Sequence, residues 1–248
     1  MFKHAALAFG ILAGTQAAAF DLGAMTDDER TAFRAEIRAY LLANPEVIME
    51  AVGVLEQREQ AAKANNDVAL AVNYADQLMN DGHSFVGGNP DGDITIVEFM
   101  DYRCGYCKKA FPEVASLIAS DGNIRYIVKE FPILGEQSML AAQFALAVKI
   151  VAGDEAYEEV HHTLMEFRGD MSQENLMRLA SDLDLDIASI TVEMGGSAVA
   201  KIINNNRLLG QAMQISGTPT FVVQDQMLRG YVPQAQMEQI VAAVRDKG

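Results

Sequence analysis

Ile94-Thr95-Ile96-Val97-Glu98-Phe99-Met100-Asp101-Tyr102-Arg103-Cys104-Gly105-Tyr106-Cys107-Lys108-Lys109 is the stretch on which the reading of this chain turns. An apolar run of strand length leads into two cysteines, and Phe111, Val114, Leu117 and Ile118 follow at helical spacing. Cysteines three residues apart at a helix start bring their sulfurs within bonding reach, yet they close a loop too small to staple a fold. The chain has no other cysteine. The pair therefore reads as a redox dithiol rather than a scaffold.

Cys104 falls at or just before the first helical turn, where unpaired amides and the helix dipole favour negative charge. A thiolate is the attacking species in disulfide exchange, so a lowered pKa makes Cys104 the expected nucleophile. Cys107, one turn further in, is the expected resolving thiol. Gly105 and Tyr106 between them supply no imidazolium, which leaves Lys108 and Lys109 as candidates to fold back towards the sulfur. Glu98 lies six residues before Cys104 on the incoming strand and could move protons to or from Cys107 if buried, or face outward as an ordinary strand carboxylate.

Outward from this core, Gly87 to Asp93 reads as a turn-rich lead into the first strand. Asn123 to Phe131 reads as a second strand, so the order strand, helix, strand predicts a parallel pair with a crossover. Pro112 is expected to kink the intervening helix. From Gly135 to about Met213 every segment reads as helix, which marks an insertion. Thr218-Pro219-Thr220, the run Phe221-Val222-Val223, a turn at Gln224-Asp225-Gln226, a short strand at Met227-Leu228 and a helix from Pro233 to Arg245 complete a hairpin with its cover.

The N-terminal part is of a different kind. Lys3 and His4, an apolar stretch from Ala5 to Ala13, and small residues up to Ala19 predict a secretory signal peptide over residues 1–19, cleaved after Ala19. Helices are expected from Thr26 to about Lys63, with Asn44 as N-cap and Pro45 at the first position of a restarted helix, and again from Gln60 to Asn80. Their apolar faces are narrow and suit either docking on the main domain or pairing with copies of the chain. The expected divisions are residues 1–19, 20–82 and 83–248, with the helical insertion at about 135–213.

The formal net charge is -15, and removal of residues 1–19 takes away one positive charge, Lys3. Such acidity argues against nucleic acid as a partner. No cofactor is expected. A zinc or copper site is a rival meaning of any Cys-x-x-Cys pair, but a structural zinc site usually has four protein ligands and there is no second cysteine pair. His161-His162 reads as a polar helix face, and the 13 Met residues are dispersed rather than clustered.

With Val97 to Lys109, Glu130-Phe131-Pro132-Ile133-Leu134-Gly135 and Gly217-Thr218-Pro219-Thr220-Phe221 in view, the chain resembles the DsbA-like thiol-disulfide oxidoreductases of the bacterial envelope. More narrowly it is similar to the ScsC-type, suppressor-of-copper-sensitivity branch, in which a helical segment precedes the catalytic domain. The resemblance implies an α/β thioredoxin fold with a helical insertion, preceded by an N-terminal helical oligomerisation segment. It also implies a cis Pro219, with Thr218, Pro219, Gly105 and Tyr106 as client-binding residues.

It further implies a periplasmic location, misfolded or partly oxidised protein clients, a membrane thiol-redox partner and a homo-oligomer, with a trimer favoured. Oligomeric relatives are isomerases and monomeric ones oxidases. The chain lacks the Pro-His pair that strong oxidants place between their cysteines, so isomerase or reductase use is the expectation. A monomeric dithiol oxidase and a copper-tolerance metal-binding protein are the alternatives.

Overall fold

The computed structural model describes residues 22–246. The predicted signal peptide and its cleavage after Ala19 lie outside them. The chain divides into two compact units, one ending at Glu59 and the other beginning at Gln60. Residues 60–82, read from the sequence as the end of the N-terminal segment, thus fold with the second unit.

In the first unit α1 spans Asp27–Ala43. Thr26 and Glu29 start it as a reciprocal capping box, with the Thr26 amide donating to Glu29 Oε2 at 2.8 Å and the Glu29 amide donating to Thr26 Oγ1 at 3.3 Å. Asp27 and Asp28 add negative charge where the helix dipole favours it. Asn44 closes this helix instead of opening the next one: its side-chain amide donates to the Tyr40 carbonyl at 2.9 Å. The next helix, α2, begins at Glu46 and runs unbroken to Asn73, through the restart expected near Gln60. A short α3, Ala75–Met79, follows.

The second unit is built on a five-stranded sheet. Its strands are β1 (Phe85–Gly88), β2 (Ile94–Met100), β3 (Ile124–Glu130), β4 (Thr220–Val223) and β5 (Gln226–Arg229), in the spatial order β1-β3-β2-β4-β5. The predicted parallel pair is present, with Ile94 opposite Ile124 and Met100 opposite Glu130. Between them α4 (Gly105–Asp121) makes the crossover and continues as one helix through Pro112. The predicted hairpin is β4 with β5, and α10 (Gln234–Arg245) covers it.

One strand escaped the sequence reading. Phe85–Gly88 pairs antiparallel with β3, although its glycines suggested a turn. Gly88 has φ +66°, and a Cβ there would stand 2.4 Å from the Ile124 carbonyl oxygen, so close backbone approach is what requires glycine.

Alternation along the strands sorts the core into two layers. Ile94, Ile96 and Met100 face α4 and α10, packing with Ala110, Val114, Leu117, Met237 and Val241. Val97, Phe99, Ile127 and Val222 face the other way, onto Ala71, Leu78, Leu209 and Met213. Because β2 is central and covered on both faces, all seven of its residues are buried.

The insertion consists of α5 (Glu136–Ala152), α6 (Asp154–Glu166), α7 (Gln173–Asp182), α8 (Ile187–Met194) and α9 (Ser197–Ala212). Its centre is α5, whose Ala141, Ala142, Phe144, Ala145, Leu146, Ala147 and Val148 are all buried.

Candidate active site

Where β2 ends, the Cys104 amide donates to the Asp101 carbonyl at 3.0 Å and closes a tight turn over Tyr102 and Arg103. That turn delivers Cys104 to the N-cap of α4 with extended backbone (φ -75°, ψ 115°). Its sulfur accepts the Cys107 amide at 3.4 Å, the bond a side-chain oxygen makes in an ordinary cap. Asp101 supports the turn: its Oδ1 accepts from the Arg103 amide at 2.8 Å, and its Oδ2 accepts from the Ile133 and Leu134 amides at 2.9 and 3.1 Å.

Both cysteines are reduced, and their surroundings differ. The pKa of Cys104 is lowered to about 5, foremost by the hydrogen bond with the Cys107 thiol, against the opposing effect of burial, and then by Thr218 and the amides of Cys107 and Tyr106. Cys107 has no exposed surface, and burial pushes its thiol far up, with the hydrogen bond to Cys104 and the charge on Glu98 adding to the shift. The outer sulfur is a thiolate at neutral pH and the inner one a thiol.

Lys108 and Lys109 do not fold back to the sulfur. The Lys108 ammonium donates to the Leu164 carbonyl at 3.0 Å and to that of Phe167, which ties α4 to the end of α6. Lys109 lies 4.0 Å above the Tyr231 ring. Backbone amides and the partner thiol stabilise Cys104 in their place.

The Thr218–Pro219 bond is cis, as expected. It sets Thr218 against the nucleophile, with the Cys104 sulfur 3.1 Å from the Thr218 carbonyl oxygen across 114 residues of sequence, a hydrogen bond that only the protonated thiol donates. Pro219 is buried, and its carbonyl accepts from the Gly230 amide at 2.9 Å. Gly105 is exposed with open space where a side chain would stand, and Tyr106 is 63% exposed beside Tyr231. Of the four residues expected to meet a client, Thr218 touches the Cys104 sulfur, Pro219 follows it through the cis bond, and Gly105 and Tyr106 are the exposed first residues of the helix that Cys104 caps.

Glu98 is 2% exposed and shares the α4-facing side of β2, so the outward-facing alternative fails. Tyr126 donates its hydroxyl to Glu98 Oε2, while Oε1 has no partner. Burial raises the pKa of this carboxyl to about 7, and the Tyr126 bond only partly offsets it. An acid of that kind beneath a thiol of raised pKa suits proton exchange near neutrality.

Tyr126, Asp101 and Tyr231 were not singled out in the sequence. Their signal is faint: a tyrosine on the apolar side of a strand, or an aspartate just ahead of a cysteine turn. His161 also differs from its expected place on a polar face. It is buried on α6, with Nδ1 3.0 Å from the Tyr102 hydroxyl, and burial lowers its pKa to about 3. Among the described residues no group of three or more His, Cys, Asp or Glu side chains is placed to hold a metal ion.

A thioredoxin-type sheet with a polarised dithiol at a helix N-terminus, opposed by a cis-proline, defines a thiol-disulfide oxidoreductase. The chain belongs to the DSBA-like thioredoxin domain family, whose model matches residues 95–242, and its residues 29–62 match the model of the copper resistance protein ScsC N-terminal domain.

Among solved structures it is similar to a thioredoxin-like oxidoreductase from Silicibacter pomeroyi, with 38% identity, 69% of this chain and 97% of that one covered, and a TM-score of 0.65. A linker-deletion mutant of Proteus mirabilis ScsC matches at 25% identity over 92% of this chain and 100% of that one, with a TM-score of 0.67. The Na(+)/H(+) antiporter NhaA 1 of Salinispora arenicola is 32% identical over 139 residues, which are 56% of this chain but only 21% of the antiporter. Among the described residues no helix is long and apolar enough to cross a membrane.

Proposed function

We propose that this oxidoreductase is a periplasmic disulfide isomerase or reductase for protein clients. The observation that carries the reading is the placement of the two sulfurs, Cys104 at the N-cap of α4 accepting the Cys107 amide at 3.4 Å and Cys107 without exposed surface, which favours a thiolate outside and a thiol inside. In the first step the Cys104 thiolate attacks a client disulfide, a Cys104–client bond forms, the client S–S bond breaks, and the second client sulfur leaves as thiolate.

Two routes follow. In isomerisation another client thiolate attacks the mixed disulfide, and Cys104 leaves unchanged. In reduction Glu98 takes the Cys107 proton, Cys107 attacks Cys104, the Cys104–client bond breaks, and the client leaves with its second sulfur also as thiolate, to be protonated by water, while the protein becomes its disulfide. Thr218, Pro219, Gly105 and Tyr106 hold the client strand, and a membrane thiol-redox partner returns two electrons to the oxidised pair.

The signal-peptide pattern of residues 1–19 supports export. Exposed Phe33, Ile37, Tyr40, Ile48, Met49 and Leu55 in the first unit support assembly with copies of the chain, for which we favour a trimer. Copper enters through the ScsC-type segment, and exchange on copper-damaged disulfides accounts for it.

The test is recovery of activity from a scrambled-disulfide substrate by reduced protein without added metal, beside Cys104→Ala. Recovery that needs Cys104 is expected. Failure to recover, together with rapid oxidation of a reduced client, would replace this reading with the monomeric oxidase. Stoichiometric copper binding without exchange would replace it with the metal binder.

A further inference from the structure

Beneath the turn that carries Cys104 lies a buried polar cluster that the exchange steps do not use. Glu130, the last residue of β3, is its hub. Glu130 Oε1 accepts hydroxyl hydrogen bonds from Tyr102 and Tyr157, both at 2.7 Å, while Oε2 is buried and without a partner. The Tyr102 hydroxyl also lies 3.0 Å from His161 Nδ1, so the histidine joins the cluster through Tyr102. Glu130, Tyr102, Tyr157 and His161 are each buried, and they come from β3, the β2–α4 turn and α6.

Of these, Tyr102 is the one next to the chemistry. It is the second residue of the turn from Asp101 to Cys104 and is 1% exposed, so its anchored hydroxyl fixes the plane from which the Cys104 backbone departs. The bonds that hold the Cys104 thiolate, to the Cys107 thiol and amide, depend on that departure angle.

We propose that Glu130 is a positioning residue for the nucleophile, acting through Tyr102 to hold the Cys104 turn in its thiolate-stabilising geometry. The inference rests on Cys104 being the attacking thiol. The titratable groups facing Glu130 are Asp101 at the end of β2, Tyr102 in the turn and Tyr157 on α6, with His161 one bond further on. None is a cation, since His161 is held neutral. Burial foremost, with Asp101 adding to it, raises the Glu130 pKa to about 8. The hub is thus an uncharged acid at neutral pH, and a glutamine can imitate it.

The experiment measures the pH dependence of Cys104 alkylation in the full chain for Glu130→Gln, Glu130→Ala, Tyr102→Phe and Tyr157→Phe, with circular dichroism to confirm folding. Cys104→Ala serves as the control that assigns the alkylated thiol; alkylation surviving in it would fault the nucleophile assignment and not the positioning. Tyr102→Phe and Glu130→Ala should each raise the apparent Cys104 pKa by roughly one unit, which lowers the rate below that pKa about tenfold. Glu130→Gln should stay within about twofold of wild type, as one pKa unit is worth tenfold and the acceptor is retained. Tyr157→Phe removes an equivalent bond away from the turn and should leave the titration unmoved.

Wild-type titration in folded Tyr102→Phe overturns the proposal. So does an equal shift in Tyr157→Phe, which would mean a general packing role, and so does a Glu130→Gln variant as impaired as Glu130→Ala. If Glu130→Ala does not fold, Tyr102→Phe decides.

Discussion

The amide of Cys107 points at the sulfur of Cys104 from 3.4 Å, and the Cys107 thiol is the foremost influence lowering the pKa of that sulfur. The resolving residue is therefore also the main support of the nucleophile it later attacks. Cys107→Ala keeps the amide but removes the thiol donor. Its Cys104 should titrate well above the wild-type value of about 5, towards the ordinary thiol range of about 8.5, as read by thiolate ultraviolet absorbance. Unchanged titration would assign the stabilisation to the helix terminus alone.

A depressed Cys104 pKa stabilises the reduced folded protein, in full above the ordinary thiol value of about 8.5 and progressively less below it, and the benefit is lost as pH falls through about 5. The disulfide form has no such group. The dithiol is thereby favoured, and the reduction potential should lie above the roughly -270 mV of thioredoxin and towards the about -120 mV of DsbA. Equilibration with glutathione buffers measures it, and a value below that of thioredoxin would contradict the thiolate assignment.

Glu98→Gln removes the proton acceptor beneath Cys107 while keeping its shape. Formation of the mixed disulfide should be unaffected, and resolution by Cys107 should slow about 100-fold, the low end of general-base effects. Because the folded pKa of Glu98 is raised to about 7, its contribution to stability is complete below its unfolded pKa and is lost as pH rises through about 7. Glu98→Gln should accordingly be the more stable protein near pH 8, by at most about 3 kcal/mol. Denaturant titrations at two pH values test this, and a variant less stable at both would refute it.

On the sheet face away from the dithiol, Lys129 is fully buried and pairs with Asp81, with a further bond to the Gln77 carbonyl at 2.9 Å. Lys129, by hydrogen bond and charge, holds the Asp81 carboxyl down at about 2 against its burial, so the pair survives ordinary acidity and its stability is lost only as pH falls through that value. Asp81→Ala leaves an unpaired buried ammonium and should cost about 3–5 kcal/mol. Cys104 alkylation in the folded variant should match wild type, since the pair lies across the sheet.

Assembly is tested on the first unit. Ile37→Glu with Met49→Glu places charges on two of its exposed apolar residues. The expected result is loss of the oligomer by sedimentation and loss of isomerase activity, with the Cys104 alkylation rate retained. A wild-type protein that sediments as a monomer would refute the assembly outright.

Residues close together in sequence carried much of this protein's design. The dithiol at a helix start, the parallel strands at Ile94 and Ile124, the hairpin around Gln224 and the insertion after Gly135 all follow from patterns a few residues long, because turn chemistry and alternation are short-range. The cis-proline was legible only through resemblance to a family. Tertiary structure alone decided the fates of the polar groups. Glu98 is inside because β2 is covered on both faces, and its partner Tyr126 is 28 residues away. Lys108 serves α6 rather than the sulfur, and His161 joins Tyr102 across 59 residues. Asn44 turns back to cap α1. Which partner a polar side chain finds depends on what the completed fold brings beside it, and burial then sets its protonation. No local pattern specifies either, so the sequence by itself named the reacting sulfurs, while the folded chain decided which groups control them.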